Sequence, residues 1–182
     1  MDIKIRPVES GDISEILNIY APYVANTAIT FEYEVPSFED FAERVSETVK
    51  RYPYLVAEKD GHLVGYAYAG PFHDRPAYKW AVETSIYVDG QCKHMGIGGL
   101  LHATLESELR CHGVLNMCAC IAYPKTDDDE HLTKNSVEFH THLGYRFVGE
   151  FYDCGYKFGR WYNMVWMEKL IGEHTSDPKS PF

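Results

Sequence analysis

The chain has 182 residues, 45% of them hydrophobic, enough for one domain with a real core. Its formal net charge of −10 excludes binding of a phosphate backbone as the main task, so no nucleic-acid partner is expected. No N-terminal run resembles a signal peptide, no apolar stretch nears the roughly 20 residues that span a bilayer, and the five cysteines form no disulfide-scaffold or metal-ligand pattern, which predicts a cytoplasmic protein without membrane or metal partners.

Residues 2–7 alternate in polarity and predict an edge strand. Asp12-x-x-Glu15 reads as a capping box for a helix faced by Ile13, Ile16, Leu17 and Tyr20. Residues 26–36, NTAITFEYEVP, form an aromatic-rich loop. Ser37 caps a second helix with Phe38, Phe41, Ala42, Val45 and Val49 inward. Residues 52–58 and 63–69 are strands, and Lys59-Asp60-Gly61-His62 between them is a hairpin signal. A loop, PFHDRPAY, leads from there into residues 80–110.

That stretch reads as strand, glycine loop and helix. Trp80, Val82, Ile86 and Val88 share one parity, the signature of a half-buried strand. Glu83 lies within it, a carboxylate the packing pattern does not need. Asp89-Gly90 turns the chain, and Ile97, Leu100, Leu101, Leu105 and Leu109 mark the helix. Between them lie Lys93, His94, Met95, Gly96, Ile97, Gly98 and Gly99. Glycines there let the backbone approach a ligand, and the first-turn N–H groups of the helix point at it, which suits a phosphate.

Residues 114–122 form the next strand, with Cys118 and Cys120 expected to point apart. Residues 123–131 are an acidic, solvated loop, and residues 136–143 a short helix stopped by Gly144. Residues 146–153 and 161–169 close a last hairpin around CGYKFGR. Residues 1–171 thus form one domain, and residues 172–182 a polar, flexible tail. The element order predicts a mixed α/β sheet with one parallel, right-handed crossover over residues 80–122. Its cleft should open at the carboxyl end of the strand, beside the glycine loop.

A strand, a Gln/Arg-x-x-Gly-x-Gly/Ala loop and a helix resemble the acyl-coenzyme A signature of the GNAT N-acetyltransferase superfamily, here with Lys93 in the first position. ITFEYEVPS, YAYAGPFHDRPAYKWAVETSIYV, SVEFHTHLGY and GYKFGRWYNMVW resemble the phosphinothricin acetyltransferase branch. The resemblance implies a six- or seven-stranded sheet flanked by about four helices. Splayed strands and a β-bulge at residues 84–88 would form the acetyl-coenzyme A cleft.

The resemblance also implies roles. Glu83 would be the general base, where the pattern alone leaves it equally a structural carboxylate paired with Arg75. His140 would protonate the departing thiolate, where its bland reading is a histidine on a helix surface. The backbone of Ile86, Tyr87 and Val88 would run beside the pantetheine arm, and residues 93–99 would hold the pyrophosphate. Asn135, or Thr133 in its stead, would bond the pantetheine. Phe31, Arg75 and Tyr78 would form the acceptor pocket, with Arg75 shaped for a carboxylate. Homodimerisation is expected, with Phe158, Trp161 and Tyr162 as interface residues. The acceptor would be a small acidic amino acid-like amine of the phosphinothricin, methionine sulfone or methionine sulfoximine type. A polyamine or peptide acceptor, drawn by the acidic run at 127–130, and a non-catalytic acyl-coenzyme A-binding module are the alternatives.

Overall fold

A computed structural model describes residues 3–182. Seven strands make one mixed sheet: β1 Lys4–Pro7, β2 Tyr54–Lys59, β3 His62–Pro71, β4 Ala81–Val88, β5 Asn116–Tyr123, β6 Arg146–Lys157 and β7 Arg160–Leu170. Four α-helices flank it: α1 Ile13–Asn26, α2 Phe38–Val49, α3 Ile97–Cys111 and α4 Asn135–His142. The strand order is β1-β2-β3-β4-β5-β7-β6, and every pairing is antiparallel except β4 with β5. Both the predicted class and the single parallel crossover are thus found. Asp2, the first residue of the expected edge strand, lies outside the described residues.

Local chemistry accounts for most boundaries. Asp60 and Gly61 both have positive φ, 52° and 81°, the conformation a two-residue hairpin turn demands. Ser37 caps α2 by accepting from the Asp40 N–H at 3.1 Å. Asp12 does not cap α1 through its side chain. Its carboxylate instead accepts from Arg6 at 2.7 and 2.9 Å and from the Glu9 N–H at 2.7 Å, while Glu15 accepts from the Leu63 N–H at 2.9 Å. Both acids are used across elements rather than within the helix. The last hairpin is longer than predicted, because Phe158 and Gly159, at φ 51° and 74°, turn the chain in two residues.

Alternation sorts the sheet's side chains into two cores. On one face, Leu101, Leu105 and Leu109 of α3 pack on Leu55, Ala67, Val82 and Met117. On the other, α1 and α2 cover β2 and β3 through Ile16, Val24, Phe41, Tyr54 and Tyr66. The second helical layer stops at β4, so β5 and β7 keep an open face. Cys118 and Cys120, two residues apart on one strand, therefore point the same way, and the expected divergence of the two thiols is corrected.

Lys157 ties the last hairpin to α1. Its side chain is buried, and Nζ donates to the carbonyls of Val24, Thr27 and Thr30, each at 2.8 Å. These bonds satisfy carbonyls that the end of α1 leaves open. Residues 172–182 carry no helix or strand, yet they lie along the N-terminal ends of β4 and β5. There the Trp80 Nε1–H donates to the Lys179 carbonyl at 2.8 Å, and Phe182 stands edge-on to Tyr52 with ring centroids 5.1 Å apart.

Candidate active site

The parallel β4–β5 ladder holds only three pairs, Ala81↔Asn116, Val82↔Met117 and Glu83↔Cys118. Beyond Glu83 the two strands part. A cleft of about 550 Å³ fills the gap, walled by residues 84–88 of β4, 119–122 of β5, the glycine loop, and residues 133–142 in and before α4. The bulge expected in β4 is absent: β4 stays in continuous register with β3 from Pro71↔Val82 to Gly65↔Val88. Irregular register falls instead in β2–β3 and in β6–β7. What opens the sheet is the end of the ladder, and it leaves backbone groups of β4 unpaired on the cleft side.

The glycine loop is built to receive an anion. Asp89 Oδ1 accepts from the Gln91 N–H at 2.8 Å and shapes a turn at Gly90–Cys92. His94 and Gly96 then adopt left-handed φ values of 63° and 79°. Gly96 precedes α3, whose Ile97, Gly98 and Gly99 N–H groups have no intrahelical acceptor; the first helical bond runs from Leu100 to the Gly96 carbonyl at 3.1 Å. A Cβ on Gly98 would come within 3.2 Å of the Phe139 ring, so glycine permits the close approach of α3 and α4. Lys93 adds positive charge, its Nζ 5.5 Å from the Tyr23 ring centre. These donors and this cation suit a pyrophosphate.

Most of the expected coenzyme residues meet here: Ile86, Tyr87, Val88, Lys93, His94, Gly96, Ile97, Gly98, Gly99 and Asn135 all line the cleft. Met95 does not; it packs against the core under α3. Thr133 and Asn135 both reach the wall, and the Thr133 hydroxyl accepts from the Asn135 N–H at 3.4 Å.

Glu83 sits at the last ladder pair. Its side chain shares the parity of Ser85 and Tyr87, so it faces away from α3, toward the open side of the sheet. The cleft is lined by β4 residues of both parities, Ser85 and Tyr87 among them, so it opens on the Glu83 side of the sheet as well as on the α3 side. Burial raises the Glu83 pKa above the ordinary carboxylate value, and the His73 imidazole partly offsets this. No ion pair to Arg75 holds it. His73 was not singled out in the sequence, because nothing local marks its approach to Glu83.

His140 lines the cleft and is 7% exposed. Its Nδ1 lies 2.7 Å from the Ser136 carbonyl, which can only accept, so Nδ1 carries the hydrogen. Burial lowers its pKa, and the ring is neutral near pH 7 with a bare Nε2. The structure therefore gives His140 the form that takes a proton, where the sequence suggested a donor.

The expected acceptor residues do not line the cleft. Phe31 is packed at the base of the last hairpin, its ring 6.2 Å from Tyr162 and filling the space where a Cβ of Gly155 would lie. Arg75 is exposed, and among the described residues its guanidinium has no partner. Tyr78, 5.0 Å from His73 and 5.8 Å from Phe72 between ring centres, lines a second cavity of about 340 Å³ on the Glu83 side of the sheet. Trp80, Cys118, Glu168 and His174 also line it. Among the described residues, no cluster of three or more His, Cys, Asp or Glu is placed to hold a metal ion. No described helix is long and apolar enough to cross a membrane.

A sheet parted beside a helix-borne nest of N–H groups defines an α/β protein with an anion-binding cleft. The sequence agrees: residues 5–166 match the acetyltransferase (GNAT) domain, and the chain belongs to that family of acetyltransferases. It is 30% identical to a phosphinothricin N-acetyltransferase of Streptomyces viridochromogenes, covering 92% of this chain and 87% of that one. It is 31% identical to an L-methionine sulfoximine/L-methionine sulfone acetyltransferase of Pseudomonas aeruginosa, covering 98% and 100%. A phosphinothricin acetyltransferase from Sinorhizobium meliloti, solved in complex with AcCoA, superposes with a TM-score of 0.88 at 32% identity, covering 98% of this chain and 94% of that one.

Burial also makes the histidines behind the cleft sensitive to acid. His102 is 4% exposed, and desolvation, reinforced by Lys169, pushes its pKa down to about 4. The unfolded chain binds that proton near pH 6.5, so His102 and His140 both withdraw stability as pH falls below that value. For His102 the loss is complete near pH 4 and amounts to about 3 kcal/mol. Urea unfolding at about pH 7 and about pH 5 should show a smaller acid loss in His102→Gln than in the parent.

Proposed function

We propose that the protein transfers the acetyl group of acetyl-coenzyme A to the primary amine of a small, acidic amino acid-like molecule, with phosphinothricin, methionine sulfone and methionine sulfoximine as the type. The observation that carries this reading is the parting of β4 and β5 at Glu83↔Cys118, which opens an anion-binding cleft directly beyond a desolvated carboxylate. The thioester would enter along β4 from the cleft. The amine would come from the Glu83 side, near Tyr78 and the second cavity. The two meet in a ternary complex, and attack is direct.

In this reading the proton inventory balances over two groups. Glu83 takes one proton from the ammonium, directly or through a water, and leaves the amine free to attack. Backbone N–H groups of β4 beyond the ladder stabilise the oxyanion. His140, neutral with Nε2 bare, takes the second nitrogen proton and delivers it to the thiolate as the carbon–sulfur bond breaks. Cys120 lines the cleft, but burial pushes its pKa to about 12, which supports direct attack over a covalent acyl-enzyme.

Arg75, exposed beside Tyr78 and without a partner among the described residues, is the cation for the acceptor's acidic group. A cationic acceptor drawn by the acidic run has less support. Asp127 pairs with Lys134, and Asp129 and Glu130 pair with Arg160. We also read the protein as a cytoplasmic homodimer. The outer strand β6 exposes Phe147, Val148, Phe151 and Tyr152, an apolar row on an unpaired edge. Of the expected interface residues Trp161 and Phe158 remain exposed, whereas Tyr162, 1% exposed, is filled in by its own chain.

Three measurements test these assignments. Glu83→Gln should lower kcat by about 100-fold or more and abolish the acid limb of the pH–rate profile, which in the parent lies above the ordinary glutamate range. Unchanged turnover removes Glu83 from the chemistry. Arg75→Ala should raise KM for acidic amines about tenfold and leave neutral amines unaffected; equal effects on both refute the clamp. Light scattering should give twice the chain mass for the parent and a lower mass for Phe151→Lys, and a monomeric parent sinks the dimer.

A further inference from the structure

Behind the parting of the sheet lies a chain of buried polar groups that the reaction above does not use. Tyr145 follows Gly144 at the end of α4 and is 4% exposed. Its hydroxyl lies 3.0 Å from His102 Nε2 on α3 and 3.4 Å from Thr84 Oγ1 on β4. Thr84 Oγ1 in turn lies 3.3 Å from the Cys118 carbonyl on β5. The same tyrosine ring receives His140 at right angles, with centroids 4.9 Å apart and an interplanar angle of 88°. One buried side chain thus touches both strands' meeting point and the cleft histidine.

One link of the chain has a fixed direction. The Cys118 carbonyl can only accept, so Thr84 donates to it. With the His102 hydrogen on Nε2, the Tyr145 oxygen accepts from it and the Tyr145 hydroxyl donates to Thr84; with the hydrogen on Nδ1, which lies 3.7 Å from Glu106 Oε2, the Tyr145 hydroxyl donates to Nε2. His102 is set in place by its helix, whose Glu106 is anchored by Lys169 at 2.6 Å and Arg110 at 2.6 Å. The chain therefore runs from a rigid helix to the exact residue pair after which the sheet opens, Glu83↔Cys118.

We propose that Tyr145 is a positioning residue for acetyl transfer: its hydroxyl, oriented by His102, holds Thr84 against the Cys118 carbonyl and fixes where β4 leaves β5, while its ring holds His140 at the cleft. Thr84 occupies with its side chain a carbonyl that a longer ladder would have engaged. The backbone N–H groups of β4 that follow are then left for the thioester. The proposal rests on the acetyl-transfer reading, and its test separates the two.

The test is a double-mutant cycle in the full-length protein, with kcat and both KM values measured against acetyl-coenzyme A and the best amine. Tyr145→Phe keeps the ring that supports His140 and deletes only the hydroxyl. It should lower kcat about tenfold with the acetyl-coenzyme A KM within about twofold and the acid limb unmoved. Thr84→Val should match it, the double variant should be no slower than the slower single, and Thr84→Ser should retain the parent rate. A Tyr145→Phe variant with parental kcat, or losses that multiply in the double variant, overturns the proposal. If the parent acetylates no amine, the functional reading has failed by itself. Amide exchange then decides: Tyr145→Phe should speed exchange at residues 84–86 and leave residues 64–67 of β3 unchanged, and equal exchange in both proteins overturns the positioning role.

Discussion

The structure depends on where one parallel ladder ends. Three residue pairs join β4 to β5, and the next residue on each strand turns to a different neighbour. A parallel pair that stops inside a sheet leaves backbone donors and acceptors uncompensated, which a fold tolerates only when something else meets them. Here the Thr84 hydroxyl meets the Cys118 carbonyl, Tyr23 donates to the Val88 carbonyl at 2.5 Å, and the rest face a cleft. The same break opens the cleft to both faces of the sheet.

Burial acts in opposite directions on Glu83 and His140. Desolvation disfavours whichever form is charged, so it raises the carboxylate of Glu83 and lowers the imidazole of His140. Both groups move toward neutrality, and their affinities for a proton draw together from opposite directions. The hydrogen bond from His140 to the Ser136 carbonyl fixes which nitrogen is left available. The anion-binding loop, by contrast, needs no titrating group. Its donors are helix N–H groups, with Lys93 beside them.

Features set by neighbours in sequence were legible without coordinates. Asp60-Gly61 announced its turn, Ser37 its cap, and the alternation around Glu83 its strand; each depends on a few adjacent residues. The glycine loop was legible for the same reason, because Gly96 and Gly98 answer to backbone demands within one turn. What the sequence hid lies in pairings across the fold. Tyr145 meets His102 over a separation of 43 residues, and Asp12 prefers Arg6 and Glu9 to the helix it precedes. Met95 reads as part of a ligand loop but has an apolar floor to fill. Phe31 reads as a pocket wall but finds a slot beside Gly155. One clue was available: His102 interrupts the apolar stripe of Leu101, Leu105 and Leu109, and a polar residue in that position requires a buried partner.

The parting of β4 and β5 also lies on a seam in the chain. Residues up to β4 build one side of the sheet, and residues from β5 onward build the other, each largely from local hairpins. Across the seam run three parallel pairs, the helix α3, the polar link at Thr84, the Lys157 bonds to the end of α1 and the C-terminal residues against Trp80 and Tyr52. A ligand seated there touches both sides at once, so its binding energy becomes cohesion between two halves that the backbone joins only briefly. The molecule is thereby organised like an arch completed by its keystone: the site of chemistry is also the joint whose filling makes the whole behave as one cooperative unit.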